Sequence, residues 1–189
     1  MNIFWLSSNP RHCARYHLKA HMIKMILEYA QLLYSAHHIL SPGGLLKPDA
    51  LKPYKLAHKN HPCSKWTRES LGNYKILARL ALELCHVFER RQKKQHATQV
   101  HIEWLARNPP CFPTDSSDKP TAPPLCIPQW IKDLRLGLIR SYRVYYIAEK
   151  IGKIKNGSFM DVAPQWSSDV RLISFANSNR EGFSKQEDA

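Results

Sequence analysis

The thirteen prolines of this chain are unevenly spread, and their placement limits the fold more than any other feature. Pro42, Pro48, Pro53 and Pro62 fall within residues 41–62, and Pro109, Pro110, Pro113, Pro120, Pro123, Pro124 and Pro128 within residues 108–128. Proline removes a backbone donor and clashes with the preceding turn, so neither stretch can hold a helix of normal length. Outside them the apolar residues repeat at helical spacing. Helices are therefore expected over residues 9–40, 64–91, 98–107 and 129–153, joined by long proline-rich connections, the first either continuous or with its opening turn at Asn9-Pro10 separate from a main helix that begins near Arg15. Residues 2–7 read as an extended, buried N-terminal arm, and from residue 167 the pattern fades into an expected flexible tail. The fold class is all-α: a single-domain bundle of about four helices over residues 1–166, followed by the tail 167–189.

The first helix carries two stripes. Leu18, Met22, Met25, Ile26, Tyr29, Leu32, Leu33 and Ala36 form its apolar face, while His17, His21, Lys24 and Glu28 fall within a stripe about 60° wide. Such a stripe either looks into a cleft or is a solvated face with an ordinary i,i+4 pair between Lys24 and Glu28. On the second helix Arg68, Lys75, Arg79, His86 and Arg90 line up along roughly 33 Å. Arg140 and Arg143 add cations on the fourth helix.

Charge narrows the partner. With 28 basic and 15 acidic residues the formal charge is +13 and the pI near 9.7. That excess belongs to the body of the chain, and nucleic acid is the default polyanion that neutralises it. Arg68, Lys75, Arg79, Arg90, Arg140 and Arg143 are the expected DNA-contacting residues. A membrane partner is not expected, because no segment approaches the ~20 apolar residues that span a bilayer. Five scattered cysteines without CxxC spacing point to a reducing compartment, hence an intracellular protein.

The chain carries no nucleotide-binding glycine loop, GxSxG elbow, HExxH or DxDxDG motif. His17 and His21 could place two imidazoles on one ion, with His58, His61 or Cys63 as a third ligand. Ten histidines in 189 residues make such pairs frequent by chance, so neither a metal nor a cofactor is assigned. Cys63, at a helix start beside Lys65, has the setting of an activated thiol or of a small buried residue.

The runs Met-Asn-Ile-Phe (1–4), Tyr16-His17 through His21 to Lys24-Met-Ile-Leu-Glu28, Asn60-His-Pro-Cys-Ser-Lys-Trp66, Leu125-Cys-Ile-Pro128 and Tyr142-Arg-Val-Tyr-Tyr-Ile147 resemble a family of uncharacterised proteins of tailed phages and large DNA viruses. The likeness covers residues 1 to about 166 and brings no activity with it. A more distant resemblance is to the pyrimidine-dimer DNA glycosylases of the endonuclease V type, in an apolar N-terminal arm, a first helix bearing a carboxylate, and a His-Pro turn leading into a helix. It implies Glu28 as the catalytic carboxylate, His61-Pro62 as the turn and the N-terminal amine as nucleophile. Histidines stand here where that family has arginine and glutamate, and the bulk of Asn2 leaves the amine on Met1. The expected catalytic set is Glu28, His17, His21, Lys24 and His61. The expected function is a DNA-binding viral protein, with glycosylase/lyase chemistry on damaged or modified bases as its activity. The alternatives are a non-enzymatic virion or nucleoid DNA-binding protein, and a metal-dependent phosphohydrolase using the histidine cluster of His17, His21, His58 and His61.

Overall fold

Helix follows the 3.6-residue period almost everywhere the sequence carries it. The computed structural model describes residues 1–41, 51–151, 159 and 163–187. Among them are eight α-helices: α1 (Pro10–Arg15), α2 (Lys19–Leu40), α3 (Pro62–Glu69), α4 (Leu71–Gln92), α5 (Gln99–Arg107), α6 (Gln129–Asp133), α7 (Leu138–Tyr145) and α8 (Val170–Glu187). A π-helical turn, Tyr146–Ile151, continues α7, and a 3-10 turn spans Gln165–Ser167. The all-α expectation holds. No strand occurs among the described residues, only an isolated antiparallel bridge between Leu18 and Phe159.

The number of helices corrects the expectation of about four, because three of the expected helices break. The first breaks at Tyr16–Leu18, where Leu18 is extended and the His17 ring turns back to bond the Cys13 carbonyl. The second breaks at Ser70, which is also extended, and whose hydroxyl caps α4 by accepting the Asn73 N–H at 3.1 Å. The fourth breaks between Asp133 and Leu138, where Arg135 and Gly137 both have positive φ. Residues 42–50 of the first proline-rich loop and residues 152–153 of the expected fourth helix lie outside the described residues. Where a flexible tail was expected, residues 170–187 form α8, which packs on the π-turn and on α7.

The core is built on α2 and α4, which pack on each other and on α3 and α5. Met22, Ile26, Tyr29, Leu32, Leu33 and Ala36 are fully buried, as are Leu77, Leu80, Ala81 and Leu84. The second proline-rich segment wraps the start of α4. Asn73 donates to the Trp66 carbonyl and accepts from both the amide and the hydroxyl of Thr121. Gly72 donates to the Ser117 carbonyl at 2.9 Å, and a Cβ there would stand 2.6 Å from Asp118 and Lys119 backbone atoms, so this approach requires glycine.

The N-terminal arm, expected to be extended and buried, is both. Residues 2–6 are buried. Leu6 donates to Cys13 Sγ, whose thiol donates to the Phe4 carbonyl. Asn2 donates to the Cys126 carbonyl at 2.6 Å and accepts from the Ile3 amide and from the Tyr142 hydroxyl.

Candidate active site

The arm delivers the chain's α-amine to α2. Met1 N lies 4.0 Å from Glu28 Oε2, while Lys24 Nζ lies 3.3 Å from Glu28 Oε1. The two cations differ in setting. The Met1 side chain is 3% exposed and that of Glu28 12%, whereas the Lys24 side chain is 71% exposed. Glu28 is thus a nearly buried carboxylate between the α-amine of a residue whose side chain is buried and the exposed ammonium of Lys24. Burying a carboxylate without a partner is costly, and the pair of cations offsets that cost.

The His-Pro turn enters the same site. The ring of His61 accepts the Cys63 N–H at 3.1 Å and so caps α3. Its pKa is lowered, first by burial, then by the Met1 amine and His58, with Glu28 acting in the opposite sense. Cys63 is fully buried and its sulfur lies 3.6 Å from that of Cys126. In this pair Cys63 keeps its proton: the hydrogen bond it donates to Cys126, and then its burial, push its pKa far up. Of the two expected readings of Cys63, the small buried residue is the one that its environment matches, and the activated thiol is not. The lowered thiol is Cys126, brought to about 7 by the Cys63 bond, with the Met1 amine and Lys132 adding to it against burial. His61, Cys63 and Cys126 bring three ligand-type atoms within 4.8 Å of one another, and among the described residues they are the one histidine, cysteine or carboxylate group of three that converges so.

His17 and His21, expected on one stripe with Glu28, belong to a different neighbourhood. His17 is fully buried, with Nδ1–H donating to the Cys13 carbonyl at 2.8 Å, and burial lowers its pKa to about 4. His21 stacks on Phe4 with ring centroids 4.6 Å apart and shares a 2.8 Å hydrogen bond with the Tyr146 hydroxyl. Burial above all, then the nearby His17, lower its pKa to about 3. Arg68 turns away from the stripe and donates to the Lys59 carbonyl at 2.9 Å.

The cations expected to meet DNA fall into four places. Because α3 and α4 are separate, Arg68 does not continue the row of Lys75, Arg79 and Arg90. Lys75 pairs with Asp118 at 2.8 Å on the surface, and Arg79 is exposed. Arg90 lines a cleft between α1 and α4 together with Arg11, Arg15, His86 and Arg91, where Glu83 meets Arg11 at 3.7 Å. Arg140 and Arg143 instead border a groove of about 880 Å³ with Trp5, Trp166 and Phe175. Each guanidinium lies 5.5 Å from an aromatic centroid, Arg140 over Phe175 and Arg143 over Trp166.

Sequence reasoning missed Asn2, Cys126 and Tyr142, which hold the arm in place. Cys126 lay inside the Leu-Cys-Ile-Pro run, and a histidine and cysteine two apart at His61-Pro-Cys63 were a cue to seek a third ligand. No protein-family model, curated protein or solved structure matches the chain.

Proposed function

We propose that the chain binds DNA and acts on it as a glycosylase with lyase activity, with the Met1 amine as nucleophile and Glu28 as the carboxylate that serves it. The observation that carries this reading is the α-amine 4.0 Å from a nearly buried carboxylate. An amine attacking the sugar C1′ displaces the base, which leaves with the bonding electron pair and takes up a proton. The amine loses a proton on forming the C1′–N bond; the C1′–O4′ ring bond then opens, O4′ takes up a proton, and the iminium so formed is stabilised by a neighbouring carboxylate, which also moves these protons. Glu28 is positioned for both tasks. Lys24, on the exposed side of the same carboxylate, neutralises it and faces incoming phosphate.

Two further features support DNA as the substrate. The +13 charge favours a polyanion, and the groove bordered by Arg140 and Arg143 sets two cations beside the aromatic wall of Trp5, Trp166 and Phe175. The cleft of Arg11, Arg15, His86, Arg90 and Arg91 favours a second reading, a protein that only neutralises phosphate.

The test is borohydride trapping on duplexes carrying an abasic site or a pyrimidine dimer. The expected result is a covalent adduct that Glu28→Gln abolishes while leaving binding within about threefold, because the carboxylate acts on the reaction rather than on the phosphates. Selective acetylation of the α-amine should remove the adduct, and Lys24→Ala should retain it. Binding without an adduct on either substrate, together with a Glu28→Gln variant that behaves as the native protein, would favour the non-enzymatic reading.

A further inference from the structure

We propose that His61, Cys63 and Cys126 form a site for one zinc ion, with water in the fourth position. Zinc binds thiolate sulfur at about 2.3 Å and imidazole nitrogen at about 2.0–2.1 Å in a tetrahedron, which sets two sulfurs about 3.8 Å apart. Cys63 and Cys126 hold theirs at 3.6 Å, and the imidazole lies within 4.8 Å of both. A disulfide would need about 2.04 Å and has no use for a third ligand. The three residues come from the start of α3 and from the end of the second proline-rich segment, which Trp66 and Thr121 also join by a hydrogen bond.

The electrostatics fit a dication. Two thiolates cancel the charge of zinc, so a neutral centre can stand beside the Met1 ammonium, where an uncompensated cation would be repelled. Half-exposed His61 and Cys126 leave one side of the site open, which gives the ion a way in and leaves the fourth position to solvent. Coordination replaces one existing bond. A neutral imidazole that gives either nitrogen to the metal can no longer accept the Cys63 N–H at Nδ1, so the present helix-capping bond is exchanged for the metal bond.

The ion would also position the reactive amine, because the Cys126 carbonyl accepts the Asn2 side chain one residue from Met1. That role rests on the lyase reading; the binding of the metal does not.

The experiment measures metal alone, on the full chain kept reduced with a phosphine. Zinc is titrated in competition with a chromophoric chelator, and cobalt(II) is then substituted for it. One ion per chain is expected, and the cobalt form should show a thiolate-to-metal charge-transfer band with intense visible bands of a tetrahedral centre. Cys126→Ser should weaken binding by more than the roughly 10–100-fold typical of losing an outer-shell partner and should diminish the charge-transfer band. His61→Asn, which keeps a cap acceptor, should weaken binding by a similar factor. Sub-stoichiometric uptake, a cobalt spectrum lacking the thiolate band, or a folded Cys126→Ser variant that binds as tightly as the native chain would each overturn the proposal. If both variants misfold, the native cobalt spectrum decides alone. Zinc uptake without any borohydride adduct would uphold the metal site and reject the lyase.

Discussion

Acid should unfold this protein partly through His17, and the size of the effect follows from its burial. The ring is fully enclosed, Nδ1–H is committed to the Cys13 carbonyl, and Nε2 has no hydrogen-bond partner among the described residues. A proton added at Nε2 would bury a cation without a counter-charge. Its pKa is accordingly lowered from 6.5 to about 4. In the unfolded chain the same ring takes up its proton near 6.5. Between those values the unfolded state binds more protons, so stability rises with pH. The penalty is absent above about 6.5, grows as pH falls and levels off below about 4. Its full size is 2.5 pH units at about 1.36 kcal/mol each, or about 3 kcal/mol. His17→Gln keeps a donor for the Cys13 carbonyl and does not titrate. Urea unfolding followed by far-ultraviolet circular dichroism, run on both proteins from pH 7 to pH 4, should show the native protein losing about 3 kcal/mol more than the variant. Parallel stability curves would refute the assignment of His17 as a buried neutral histidine. A histidine serving as base in the reaction would instead mark the rate profile near neutrality.

Three other outcomes follow from the packing and the charge. Gly72→Ala should destabilise by about 1–3 kcal/mol, since its Cβ would meet the backbone of Asp118 and Lys119, and thermal unfolding with unchanged helical content measures it. Asn73→Ala should cost about 2–4 kcal/mol, because it strands the Trp66 carbonyl and the Thr121 amide, and should expose the 113–121 segment to proteolysis before the rest of the chain. DNA affinity should fall linearly with the logarithm of salt concentration, and Arg79→Ala should reduce the slope by about 1 if that exposed guanidinium meets a phosphate; an unchanged slope would remove α4 from the interface.

The sequence disclosed the helices more readily than the site because a helix leaves a period and a site need not. Met25, Ile26, Tyr29, Leu32 and Leu33 announce the buried face of α2, and Lys24 and Glu28 announce their own pairing. Nothing periodic announces Asn2 or Cys126, whose places are set by side-chain hydrogen bonds that reach 63 to 140 positions along the chain. The break at Ser70 was also hidden: the apolar period continues from Trp66 to Tyr74 across it, and only the three-residue spacing from Ser70 to Asn73 hints at a cap. His17 and His21 share the helical spacing of Glu28, yet Phe4 from the arm stacks on His21 and stands edge-on to His17, dividing the stripe into an aromatic cluster and a charged site.

The hydrogen bonds of Asn2 reach Cys126 and Tyr142, across 124 and 140 positions of the chain. During synthesis at about 5–20 residues per second, the first residues wait on the order of ten seconds for those partners to leave the ribosome. The amine therefore meets its carboxylate among the last events of folding, after α2 and α4 can already have joined. A truncated or half-made chain carries the helix, the carboxylate and the positive charge, yet lacks the anchor that seats the Met1 amine. On the proposed lyase reading, nascent fragments would bind DNA without being able to cut it.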